Sequence, residues 1–99
     1  MPVTGWNVRE IIYADIDGEL PQGVLVNAGP AVWEDRDPVN GALRSTLREV
    51  ERTGDTLRLS DNNTTAEYLV TLSTATIAEA QLFGRPPQPI WDIIEIAGP

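Results

Sequence analysis

The sequence predicts an all-β domain, a small barrel or sandwich of about six mostly antiparallel strands. Three observations lead there. Short β-branched and aromatic runs alternate with Gly, Pro, Asn and Asp punctuation. The central stretch admits a cross-strand ladder in which apolar face and charge order agree. The last run, Ile90 to Ile96, is apolar on both sides.

Val8 to Ile16 carries Val8, Ile11, Ile12, Tyr13 and Ile16, residue types that suit a pleated, half-buried surface. Asp17-Gly18 is a turn signal, and Pro21-Gln22-Gly23 lengthens the loop. Gly23 to Asn27 supplies a second strand, so the two form a hairpin that Gly29-Pro30 ends. Trp33-Glu34-Asp35-Arg36-Asp37 reads as a charged loop with its tryptophan anchored in the core.

The middle of the chain carries two readings. In the helical one, Asp37 caps a helix near 38–53, Pro38 sits in its first turn, and Val39, Leu43, Leu47 and Val50 line one face. That reading makes the domain a two-layer α+β fold. In the strand reading, Thr53-Gly54 and Asp61-Asn62-Asn63-Thr64 are hairpin turns. Val50, Leu57, Leu59, Tyr68, Val70 and Leu72 then share a face, and Glu49, Arg58 and Glu67 make a row of alternating charge on the other. The strand reading is preferred, because two independent patterns agree in it. Its cost is that Arg44, Arg48 and Arg52 fall on the apolar side and must keep their heads in water.

Thr71 to Ala80 either continues a strand or opens a short helix through the Thr76-x-x-Glu79 capping box. Gly84 to Pro89 resembles a linker but is too short to divide the chain, so residues 1–99 are expected to form a single domain. Ile90 to Ile96 is the final strand, expected to be central or covered by another layer.

Composition narrows the chemistry more than any motif does. The chain of 99 residues has no histidine, no cysteine and no lysine. Histidine-based triads, thiol nucleophiles, Schiff bases and the usual zinc ligand sets are therefore ruled out. Carboxylate, tyrosine and hydroxyl groups are what is left. Seven basic residues, all arginine, stand against 15 acidic ones, a formal net charge of −8. That balance disfavours nucleic acid and anionic membrane surfaces, which require a basic stripe.

Asp15-x-Asp17-Gly18-Glu19 places three carboxylates around a glycine turn but lacks the spacing of a calcium loop. It is read as a solvated turn, and no metal or cofactor is expected. The candidate interaction residues are Trp33, Glu34 and Asp35, where acids flank an aromatic, and Arg44, Arg48 and Arg52, a basic set at a spacing of four. Trp6, Trp33 and Trp91 are expected to fill the core.

The function expected from these features is a non-catalytic protein-interaction or assembly subunit, homo-oligomeric, in the manner of a virion or accessory structural protein. Its partner is then a protein or a second copy, and its location the cytoplasm or a virion. Two alternatives come from other classes. One is a small barrel enzyme or ligand-binding protein using Asp/Glu with Tyr13 or Tyr68 around an apolar pocket. The other is an acidic inhibitor or immunity protein.

Overall fold

In the computed structural model, which describes residues 8–62, 66–80 and 87–98, every regular element is a strand. The strands are β1 (Glu10–Asp15), β2 (Pro21–Gly29), β3 (Val32–Arg36), β4 (Leu43–Thr53), β5 (Thr56–Asp61), β6 (Glu67–Thr71), β7 (Thr76–Ala80) and β8 (Gln88–Ala97). They pair antiparallel in sequence order, and β8 returns to β1, closing an eight-stranded barrel. Closure satisfies every strand edge from within.

The expected fold class holds, with eight strands in place of about six and a barrel in place of a sandwich. The helix near 38–53 does not form: Leu43–Thr53 is the longest strand. Its inward phase carries Ser45, Leu47 and Glu49, while Arg44 and Arg48 point outward, so the arginines no longer burden the apolar side. The segment 33–37, expected as a loop, is mostly β3, with Trp33 in the core as predicted. Thr76 opens β7 rather than a helix, because it pairs with Thr71 across a tight turn. The first strand is shorter at both ends than expected.

Two register details differ from the sequence ladder. Arg58 lies opposite Glu51, not Glu49, because the hairpin turns at Gly54-Asp55 with Thr53 opposite Thr56, and a bulge beyond that pair, between Glu49 and Glu51, absorbs Val50. Val50 is therefore exposed, and Glu49 turns toward the interior phase beside Leu59. Leu59 faces Tyr68 and Leu57 faces Val70, a two-residue shift that keeps every side chain on its predicted face. Strand β8 is not covered by a second layer: Ile94 and Ile96 are exposed.

Eight strands enclose just enough space for side chains to fill. Alternation along each strand sends Ile11, Leu25, Trp33, Leu47, Leu57, Leu59, Val70, Ile77 and Ile93 inward, all of them buried. One end of the barrel, where β2 meets β3 and β4 meets β5, is closed. Trp33 is fully buried there, its Nε1 donating to Glu49 Oε1 at 3.4 Å, and Arg52 forms an ion pair with the same oxygen at 2.7 Å. Val8 packs against this base, and Leu72 N donates to Asp55 O at 2.9 Å, tying the β6–β7 turn to the β4–β5 turn.

The outer wall carries charge. Arg58 forms an ion pair with Glu67 at 2.9 Å and stands opposite Glu51. Arg58→Glu is therefore expected to place three like charges together and destabilise the barrel by about 1 kcal/mol. Arg48→Glu, an equal change in net charge on the same wall, should cost less. Chemical denaturation of both variants, with a double-mutant cycle between positions 58 and 67, checks this. A coupling indistinguishable from zero at low salt contradicts it.

Candidate functional site

The other end of the barrel is the mouth, where β1, β3, β5 and β7 finish and β2, β4, β6 and β8 begin. Here the inward phase changes from apolar to polar. Two residues beyond Trp33 on β3 stands Asp35, two beyond Leu59 on β5 stands Asp61, and two before Leu47 on β4 stands Ser45. With Tyr13, Tyr68 and Trp91 they surround a small cavity whose floor is Leu25, Leu47, Leu59 and Ile77. Its volume is about 30 Å³. That holds one or two waters, far below the several hundred Å³ of a drug-sized ligand pocket.

Aromatic packing builds the wall. Tyr13 and Trp91 lie with ring centroids 4.4 Å apart at 36°, and Tyr68 stacks on Trp91 at 5.9 Å and 29°. Tyr13 reaches this position because its cross-strand partner is Gly23. A Cβ on Gly23 would land on the Tyr13 hydroxyl and lie only 2.8 Å from Cε1. The Tyr13 hydroxyl donates to Asp35 Oδ1 at 2.7 Å.

Burial pushes the Asp35 carboxyl up, and the nearby Asp61 adds to this; the Tyr13 hydrogen bond and Arg44 pull it back. The Tyr13 hydroxyl is held well above the ordinary tyrosine range, first by burial and then by Asp35. Tyr68 shifts the same way, through burial and then Glu79. Arg44 stands at the rim, with Nη2 donating to Gln22 O at 2.5 Å and to Arg36 O at 3.3 Å.

The sequence-predicted site residues separate. Asp35 belongs to the mouth and Arg44 to its rim. Glu34 lies on the outer wall in an ion pair with Arg36 at 2.8 Å. Arg48 is on the outer wall as well, while Trp33 and Arg52 belong to the base. Asp61, Ser45 and Trp91 were not among the candidates. Their signal was phase: each continues an inward row of its strand past the last aliphatic residue.

The Asp15–Glu19 cluster is a turn in which Asp17 adopts φ 61° and its N–H donates to Asp92 Oδ2 at 2.9 Å. Among the described residues, no three His, Cys, Asp or Glu side chains are placed to hold a metal ion. A second hollow, about 230 Å³, lies on the outer wall over Glu51, Thr53, Thr56, Arg58 and Leu69. Its carboxylate and guanidinium balance each other. Compared with protein-family models, curated proteins and solved structures, the chain matches none.

Gly23→Ala is expected to destabilise the barrel by about 1–3 kcal/mol, the usual cost of overpacking. It should also displace the Tyr13 ring, visible as a change in Trp91 fluorescence. Unchanged stability and emission would refute the tight Tyr13–Gly23 contact.

Asp35 generates a pH prediction. Its folded value is raised, so its contribution to stability is fully present below about pH 4, the ordinary carboxylate value, and is lost as pH rises through the folded one. Asp35→Asn, which still accepts from Tyr13, should raise the Tm at pH 7 and leave it nearly unchanged at pH 3.5. An equal shift at both pH values would contradict this.

Proposed function

We propose that this barrel is a non-catalytic protein-interaction module that docks a basic partner protein across its mouth. The observation that carries this reading is the coincidence of two features at one end. Of seven strongly exposed large apolar side chains among the described residues, four sit on or beside the mouth loops: Ile16 (49% exposed), Leu20 (77%), Val39 (92%) and Leu43 (51%). The same end opens onto Asp35 and Asp61. Exposed apolar residues around a charged centre suit a partner that covers the whole end.

Catalysis and small-molecule binding fit less well. Asp35 has the raised carboxyl of a general acid, but a cavity of about 30 Å³ admits a chemical group rather than a substrate. The net charge of −8 also opposes stacking two mouths against each other. Self-association is a second reading, and it would use another surface. On the outer wall Ile94 is exposed, and the half-buried Ile12 lies opposite Val24.

The test is capture from an extract of the native source. Wild type should retain a basic protein that the double variant Leu20→Asp/Val39→Asp loses, while Ile94→Asp keeps it. Light scattering on the purified chain should give the monomer mass. Equal loss in both variants, or a defined oligomer abolished by Ile94→Asp, would favour self-association and count against mouth docking.

A further inference from the structure

We infer that Asn40 is a self-modification site: in the folded barrel the Gly41 nitrogen attacks its side-chain amide, ammonia leaves, and isoaspartate is the main product. The chemistry needs no partner and stands apart from mouth docking.

The β3–β4 connection, residues 37–42, carries an Asn-Gly pair. Ring closure at an asparagine requires the next backbone nitrogen to reach the side-chain carbon, and glycine has no Cβ to obstruct it. Asn40 is the one asparagine of the chain that glycine follows. Asn7 precedes Val8, Asn27 precedes Ala28, Asn62 precedes Asn63, and Asn63 precedes Thr64. Asp17-Gly18 has the same spacing, but a carboxylate is a poorer electrophile than an amide.

The loop's geometry favours the attack. Asn40, Gly41 and Ala42 are exposed, and a Cβ on Gly41 would meet nothing within 4 Å, so water and hydroxide reach the peptide link. Gly41 adopts φ 74°, so the turn itself selects the residue that leaves the nitrogen unhindered. Asn40 Oδ1 accepts from Ala42 N at 2.8 Å, an Asx turn that folds the side chain back across the Asn40–Gly41 link. The Ala42 N–H polarises the side-chain carbonyl and stabilises the oxygen on which charge develops.

One contact opposes the reaction. Gly41 N donates to Asp37 O at 2.9 Å, and that proton must leave before attack. On an exposed loop water replaces such a bond, so it slows the step by about tenfold at most. Asn27 is placed less well: it is half-buried in β2, and its Nδ2, the leaving group, donates to Val8 O at 3.3 Å.

The steps balance. The Gly41 nitrogen gives its proton to hydroxide and bonds to Asn40 Cγ. The bond from Cγ to the side-chain nitrogen breaks, and ammonia departs with a proton from water. Water then opens the five-membered imide. Cleavage between the Asn40 main-chain carbonyl carbon and the Gly41 nitrogen gives isoaspartate, and cleavage at Cγ gives aspartate. Either product adds one negative charge to the net −8. Isoaspartate also routes the main chain through Cβ, lengthening the loop beside the exposed Val39.

The experiment is peptide mapping of the folded chain after incubation, with circular dichroism to show that the barrel persists. Cleavage after arginine releases residues 37–44, in which Asn40 is the only amide side chain. We expect this peptide to gain about 1 Da and to separate into two forms, isoaspartate in excess. The rate should rise about tenfold from pH 7 to pH 8, because the deprotonated nitrogen attacks. Asn27, in the fragment 10–36, should convert at least about tenfold more slowly. A synthetic peptide of residues 37–44 sets the unconstrained rate, and the folded loop should keep at least about one-tenth of it. Asn40→Gln keeps the amide but must close a six-membered ring, so it should stay unmodified over the same period. A folded rate below about one-tenth of the free peptide's would mean that the Asp37 contact protects the site, and would overturn the inference. So would aspartate without isoaspartate, a rate independent of pH, or equal conversion at Asn27 or in Asn40→Gln.

Discussion

Closing eight antiparallel strands on themselves pairs the strand edges and, at the same stroke, fixes how much interior there is to fill. The remaining structure follows from that volume. A fully buried tryptophan plugs the base, and eight aliphatic residues from the seven other strands fill the rest of the interior. At the mouth the aliphatic side chains give out, and two tyrosines, a tryptophan, a serine and two aspartates take their place. Gly23 is the adjustment that lets this arrangement close, since any larger residue would occupy the space of the Tyr13 hydroxyl.

Much of this was legible in the sequence. Period-two alternation identified the inward residues of β5 and β6, and it did so even though the predicted pairing was two residues out of step. A slip of two keeps each side chain on its face, whereas a slip of one would have inverted them all. The helix near 38–53 failed as a reading for a related reason. Leu43, Leu47 and Val50 fit a helical face as well as a strand with two bulges, and only pairing with β3 and β5 decides between them. The bulge at Val50 has no signature in residue type, so the exposure of Val50 and the inward turn of Glu49 were not foreseeable.

The site was less legible because its members are far apart in the chain. Asp35 drew notice for its acidic neighbours, but Glu34 and Arg36 point to the opposite face and form an ion pair there. A charged run on a strand is divided between two environments, so counting acids along the chain overstates any local cluster. Arg44, Arg48 and Arg52 illustrate the same point. Their spacing of four suggests a shared face, and the bulge sends Arg52 to the base and its ion pair with Glu49. The arginine at the rim acts on the mouth alone.

The placement of Asp35 and Asp61 is a local conflict with the barrel's own stability. Eight strands of this size would close over an apolar cap as readily as over an acidic one, and an apolar cap would lack the desolvation burden that raises Asp35. Partial burial holds this carboxyl in a position where its charged form is disfavoured. The Tyr13 hydroxyl and the Arg44 guanidinium relieve that only in part. Conflicts of this kind concentrate where function imposes them. In this barrel the conflict lies at the same end as the exposed apolar side chains of Leu20 and Val39.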